Sequence, residues 1–413
     1  MELEVEISVI VTIYNLEKYI KDCLDSILEQ EEVNFEVICI DDASIDSSFD
    51  ILCDYQRRDA RVKVIRNKKN MGLSSSRNAG FRIAKGEYIY NIDGDDMLVR
   101  GALRKMYECA KKNNLDLLGF SAQSFFDSDL YREYAVEGEY SRKSACNLVF
   151  SGTELFVKLY EIEEPVTSNM CLYCIRNNFI KKNNLYDTEG LRYVDDSMFL
   201  KYMAAQRVMC ISDVLYRRRY REGSAVTSPM KRIYLECMIV LFTREFSYWQ
   251  QMELGEYENK VISKYFLRRM QEIDSMEYMF RNDKTEMKYL DQHFAAKFLF
   301  KNVLNRDLLY EERFTDKEKQ KILSASNLII YGAGYFAEKV TDILEVYNKR
   351  DYNVVISGIP QEEYLKGHKV YGAYEVQGLW KDALVLVAVS RKYKAEIREI
   401  LSKNNVSEII WFD

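Results

Sequence analysis

Asp93, Asp95 and Asp96 stand around a single glycine at the end of a strand-like run, EYIYNIDGDDML at 87–98. Successive side chains along a strand point to opposite faces, so Asp93 and Asp95 share a side and Gly94 lets another group come close to the backbone. Two carboxylates on one side form a hard-oxygen half-site suited to Mg²⁺ or Mn²⁺, with open positions that phosphate oxygens fill. A diphosphate is the natural second half. An Asp-rich turn or helix cap would use the same residues, and the rest of the chain decides between the two.

Strand and helix signals alternate ahead of this cluster. The β-branched run ISVIVTIYN (7–15) predicts a strand, EKYIKDCLDSILEQ (17–30) a helix, FEVICIDDAS (35–44) a strand and 46–58 a helix. RVKVIRN (61–67) reads as the third strand and SSSRNAGFRIAKG (74–86) as a helix with serines available to cap it, before the aspartate-bearing fourth strand. This alternation implies a mostly parallel sheet that binds ligands at the carboxyl ends of its strands. Polar residues mark those ends: Tyr14 and Asn15, then Asp41 and Asp42, then Asp93 to Asp96. Asp42 fits either a turn or an acceptor for a base N–H or ribose hydroxyl. Arg77 fits either a solvated helix face or a fork reaching a phosphate.

Composition narrows the classes. Across 413 residues, 59 Lys and Arg face 65 Asp and Glu, a net charge of −6, which excludes nucleic-acid binding driven by the whole protein field. The start MELEVEIS lacks a basic-then-apolar leader, and apolar runs such as LVLVAV (384–389) are far too short to span a bilayer. These features point to the cytosol, with peripheral contact at the inner membrane face left open. Nine cysteines, mostly within apolar segments, suit reduced thiols. Cys171 and Cys174 form a lone C-x-x-C with no second pair and with His293 and His368 distant, which disfavours zinc.

Five ordered segments resemble the inverting family 2 glycosyltransferases of GT-A fold, especially bacterial enzymes that build capsule and other surface polysaccharides. They are SVIVTIYN (8–15), FEVICIDDASIDSS (35–48), NMGLSSSRNAG (70–80), NIDGDD (91–96) and YVDDSMF (193–199). The resemblance implies a nucleotide-sugar donor, expected to be UDP-linked, and a saccharide acceptor, with lipid linkage and a homo-oligomer as open options. Thr12, Tyr14 and Asn15 would line the nucleotide pocket, Asp42 would accept from the uracil N3–H, and Arg77 would lie near the diphosphate. Asp93 and Asp95 would match the metal-binding D-x-D, with Mn²⁺ or Mg²⁺ bridging the phosphates, and Asp96 would stand behind them or on the acceptor side. Asp196 would be the general base, with Asp195 where the family has Glu. Arg219 and Arg221, ahead of Ser224, would match an R-x-R that closes over the diphosphate. NMCLYCIR (169–176) lacks the Trp and Lys of the family's acceptor-side signature.

The expected architecture is α/β, with a GT-A domain at 1–228, a helical segment at 229–322 and a small Rossmann-like domain at 323–413. In the last, a strand leads through Gly332-x-Gly334-x-x-Ala337 into a helix, the setting of a nucleotide fingerprint. The next strand ends at Ser357-Gly358 without the acidic residue that would hold an adenosine ribose, which argues against NAD. This part resembles the nucleotide-sugar-binding domain of some bacterial sugar acyltransferases. Two other readings of the chain are a non-catalytic nucleotide-sugar-binding scaffold and a bifunctional enzyme whose C-terminal part modifies a sugar.

Overall fold

The computed structural model describes residues 4–135, 140–142, 147–161, 169–191, 198–228, 231–280, 314–358, 360, 363–389 and 393–412. These residues form two compact units, one reaching from the N-terminus through Ile273 and the other comprising 274–280 and 314–412. Asp195 and Asp196 lie outside the described residues, as does all of 281–313, His293 included.

The first unit opens with β1 (Ile7–Ile13), α1 (Ile20–Leu28), β2 (Phe35–Asp41), α2 (Ser48–Arg58), β3 (Val62–Arg66), α3 (Leu73–Ile83) and β4 (Tyr88–Asp93). Every residue of β1 and β2 is buried, as a strand covered on both faces requires, and α1 places Ile20, Cys23, Leu24 and Ile27 on one inward stripe. Glu36 and Ser8 are two of the polar residues buried in these strands. Ser8 Oγ, Lys63 Nζ and the Lys85 N–H all donate to the Glu36 carboxylate, at 2.6, 2.6 and 2.8 Å. Although burial raises the Glu36 pKa, those three donors outweigh it and hold the group below its usual 4.5.

After β4 come β5 (Met97–Leu98), α4 (Ala102–Lys112), β6 (Leu117–Phe126), α5 (Gly152–Glu161), β7 (Tyr173–Arg176), α6 (Asn177–Lys182), α7 (Met198–Ala204) and β8 (Val208–Tyr220). The sheet runs β3-β2-β1-β4-β7-β6-β8-β5. Its first half is parallel, as the alternation predicts. Beyond β4 it is mixed: β7 is antiparallel to both β4 and β6, while β6 and β8 are parallel to each other. The expectation of a mostly parallel sheet therefore holds only for the first half, because the short β7 enters between β4 and β6 in the opposite sense.

The segment 170–176 is core. Tyr173 is fully buried, its hydroxyl 3.1 Å from that of Tyr202 and accepting from Arg142 Nη2 at 3.0 Å. The last helices of this unit are α8 (Arg232–Trp249) and α9 (Glu256–Met279), of which residues through Ile273 group here. They pack through an aromatic cluster in which Phe199 of α7 stacks on Tyr265 at 5.2 Å and Phe266 meets Phe242, Phe246 and Trp249. Among the described residues, no helix is long and apolar enough to cross a membrane.

The second unit contains α10 (Asp316–Ser324), β9 (Leu328–Tyr331), α11 (Tyr335–Val346), β10 (Asn353–Ile356), β11 (Tyr364–Leu365), β12 (His368–Gly372), β13 (Leu384–Val387), α12 (Lys394–Lys403) and β14 (Glu408–Trp411). Its sheet order is β11-β12-β10-β9-β13-β14, and all neighbours are parallel except the β11–β12 hairpin. Without β11 this is the 3-2-1-4-5 order of a Rossmann-like sheet. The β11–β12 hairpin was not visible in the sequence, where Lys366-Gly367 alone separates two very short runs. Gly332 follows β9 and Ser357 follows β10; Tyr331 and Ser357 share a hydroxyl contact of 2.9 Å.

Candidate active site

The carboxyl ends of β1, β2 and β4 converge on one cavity of about 500 Å³ in the first unit. Strand pairing sets Thr12 beside Asp93 and Ile13 beside Asp41, so the polar ends expected from the sequence arrive together. Thr12, Tyr14, Asp42, Asp93, Asp95, Asp96, Arg219 and Arg221 all line the cavity. Asn15 does not: its Oδ1 accepts from the Ile45 N–H at 2.9 Å and its own N–H donates to Ser44 Oγ at 3.0 Å, tying the β1 and β2 loops together. Thr12 Oγ1, in a residue only 6% exposed, has no hydrogen-bond partner among the described residues.

Asp42 sits under one wall. Its Oδ1 accepts from Asn67 Nδ2 at 2.7 Å and from the Met71 N–H at 2.8 Å, and its Oδ2 accepts from the Gly72 N–H at 2.9 Å. The chain can present both amides to one carboxylate because Gly72 adopts φ 88°, a left-handed value that residues with a Cβ rarely take. Arg77, on the helix that follows, α3, is not among the residues that line the cavity. Arg77 is fully buried, with Nη2 3.4 Å from Asp93 Oδ1.

Between β4 and β5 the chain turns tightly, and Gly94 is the close approach that its neighbours require. A Cβ there would lie 3.0 Å from Leu16 Cδ1 and 3.1 Å from the Thr12 carbonyl oxygen. The turn exposes the Asp95 carboxylate to Arg221, whose Nε donates to Asp95 Oδ2 at 2.7 Å. Asp96 points inward, taking a hydrogen bond from the Tyr216 hydroxyl and one from the Arg219 N–H at 2.6 Å. Burial raises the Asp95 pKa; Asp93 adds to the rise and Arg221 offsets it in part. Burial together with Asp95 and Asp93 lifts Asp96 well above the carboxylate range, and burial likewise lifts Tyr216.

Strand β8 supplies the facing wall and sorts its arginines by alternation. Arg217 and Arg219 both lie over Phe125, at 4.7 Å, whereas Arg218 rests on Tyr140 and Tyr220 at 5.0 and 5.1 Å. Arg219 and Arg221 flank the ring of Tyr19, at 5.2 and 4.8 Å. Sequence reasoning missed Tyr19, Asp22, Asp127 and Tyr216. Tyr216 had a usable signal, since it sits at the end of an apolar run before the arginines; Asp22 and Asp127 are separated too widely in sequence to have offered one.

A profile of the family described as Glycosyl transferase family 2 matches residues 8–173. An uncharacterized glycosyltransferase of Haemophilus influenzae is 36% identical over 229 residues, covering 53% of this chain and 68% of that relative. The chain belongs to glycosyl transferase family 2. The uncharacterized glycosyltransferase EpsJ of Bacillus subtilis is 32% identical over 228 residues, 54% of this family 2 chain, and the chain spans only 64% of the length of EpsJ. Among solved structures, S. aureus TarS 1–349 in complex with UDP-GlcNAc superposes with a TM-score of 0.54 at 23% identity, over 74% of this chain and 83% of that one. That likeness identifies the fold of the first unit as GT-A.

Proposed function

We propose that this family 2 chain is an inverting glycosyltransferase that moves a sugar from a UDP-linked donor to a saccharide acceptor in surface-polysaccharide assembly. The observation that carries the reading is one cavity at the carboxyl edge of the sheet lined by Thr12, Asp42, Asp93, Asp95, Asp96, Arg219 and Arg221, with Arg77 buried outside that lining and reaching Asp93. TarS, of the same fold, was solved with UDP-GlcNAc bound, which supports a uridine donor.

The donor set fits a divalent cation. Asp93, Asp95 and Asp96 line the cavity together, and such hard carboxylate oxygens are what Mg²⁺ or Mn²⁺ prefers. Asp93 and Asp95 would hold the ion, which would neutralise charge on the leaving diphosphate. Arg77, approaching from the buried side, adds a fixed positive charge near the same phosphates. The loop that Asp42 holds shapes the uracil side of the cavity, and Tyr14 contributes an exposed ring at its mouth. Inversion needs a base to take a proton from the acceptor hydroxyl, and Asp196 is that base on the strength of its motif. The division 1–228, 229–322 and 323–413 is proposed as the functional one, with the last unit a nucleotide-sugar-binding or assembly module.

The test is Asp196→Asn. Transfer measured with UDP-sugars and an acceptor panel should fall by about 10²- to 10⁴-fold with UDP affinity and melting temperature unchanged. Undiminished transfer would remove Asp196 from the role.

A further inference from the structure

The two arginines of the R-x-R segment are held in different ways. Arg221 makes one ion pair, to Asp95, and a contact from Nη1 to the adjacent Glu222 carbonyl at 3.0 Å. Arg219 is gripped on every side of its guanidinium. Nε donates to the Asp95 carbonyl oxygen at 2.8 Å, Nη1 to Asp127 Oδ1 at 2.9 Å and Nη2 to Asp22 Oδ2 at 2.8 Å, while the plane stacks between Tyr19 and Phe125. Its backbone N–H is also the donor that holds Asp96. The side chain is 10% exposed.

We infer that Arg219 is a positioning residue that fixes the Asp95–Asp96 turn, and that diphosphate recognition from this strand belongs to Arg221. The inference rests on the reading of Asp95 as a cation and donor ligand. An arginine fork has five N–H donors in a rigid plane. Three of those of Arg219 are directed at two carboxylates and a carbonyl, contributed by α1, the residue after β6 and the turn after β4. For Arg219 to reach a phosphate, it would have to leave both Asp22 and Asp127 and release the Asp95 carbonyl at the moment the cation requires Asp95 to be still. Arg221, by contrast, gives up one partner, Asp95, which the incoming cation then neutralises. The pairing of Arg219 with acidic residues outside the cavity is thus an outer support for the ligands themselves.

The experiment loosens Arg219 without altering any residue that lines the cavity, using Asp22→Asn, Asp127→Asn and the double variant of the full chain. Mn²⁺ affinity in the presence of UDP is read by electron paramagnetic resonance, UDP affinity without metal by calorimetry, and kcat and KM by donor turnover. The double variant should lose about 10- to 100-fold in Mn²⁺ affinity and in kcat, with metal-free UDP affinity within about twofold of the parent. The conservative Asp127→Glu should recover much of the loss. Tighter UDP binding in the double variant would overturn the inference, since it would mean that the freed Arg219 seizes the diphosphate. Parent-like Mn²⁺ affinity and kcat, with or without a lower melting temperature, would overturn it as well. Failure of the unmodified protein to take up UDP would overturn the functional reading together with this one, whereas normal UDP and Mn²⁺ uptake in the parent leaves a failed variant result to count against Arg219 alone.

Discussion

Asp42→Asn separates a strut from a reader of the base. In the structure the Asp42 carboxylate, 5% exposed, accepts three hydrogen bonds, two on Oδ1 and one on Oδ2. An amide can satisfy only one side: with its oxygen toward Asn67 and Met71, its NH₂ meets the Gly72 N–H, and a buried N–H is left without an acceptor. That orphan costs about 1–3 kcal/mol, and replacing an ionic acceptor by a neutral one weakens each remaining bond by up to about 1 kcal/mol. The sum is about 1–5 kcal/mol, which corresponds to a fall of roughly 2–20 °C in melting temperature for a domain of this size. Because Asn70 and Gly72 line the cavity, the shifted loop should also weaken every nucleoside diphosphate by about tenfold or more, UDP and GDP alike. Scanning fluorimetry and calorimetry with both nucleotides measure the two effects. An unchanged melting temperature with a loss confined to UDP would refute the reasoning and restore Asp42 as the group that accepts from uracil.

Three further outcomes are expected. Asp95→Asn should abolish the stimulation of UDP binding by Mn²⁺, and EDTA should do the same to the unmodified protein; UDP affinity indifferent to EDTA would contradict the cation site. Glu36 is held below pH 4.5 by its three donors, so its contribution is present above that value and is lost as pH falls through the folded pKa. Glu36→Gln should lower stability at pH 7 and flatten the acid limb of a melting-temperature profile. Gly152→Ala would place a Cβ 1.8 Å from the Tyr202 carbonyl oxygen, where α5 meets α7, and backbone cannot move aside as a side chain can. A loss at or above the upper end of about 1–3 kcal/mol, seen as poor soluble yield or an early melt, is expected.

The first half of the fold was legible because β1 to β3 each carry a β-branched or apolar run followed by a helix, and β4 carries such a run up to Asp93. Asp93 and Tyr14 could be placed at one sheet edge from that pattern alone. The strands after β4 were not legible in the same way. β5 and β7 are two and four residues long, and β7 reads as part of an apolar stretch whose antiparallel direction depends on its neighbours in space. The site shows the same division. Residues that follow strands were found, but Asn15 was assigned to the cavity although its amide braces a loop, and the Arg219 partners were missed. Asp22 and Arg219 are separated by almost two hundred positions and meet only because β8 returns beside the β4 turn. The sequence marks Arg219 as basic; only the fold shows what its charge is spent on.

The alternation of β8 has a consequence for how this site can vary. The strand assigns Arg217 and Arg219 to one side and Arg218 with Tyr220 to the other, so each position is defined by its parity as much as by its chemistry. An insertion or deletion of one residue between Tyr216 and Arg219 would keep the basic composition of the segment intact and yet turn Arg218 toward Asp22 and Asp127, or send Arg219 to the tyrosines. Loop insertions elsewhere cost little, but along this strand a single added residue undoes several contacts together. The cavity is therefore more tolerant of a changed side chain than of a changed count.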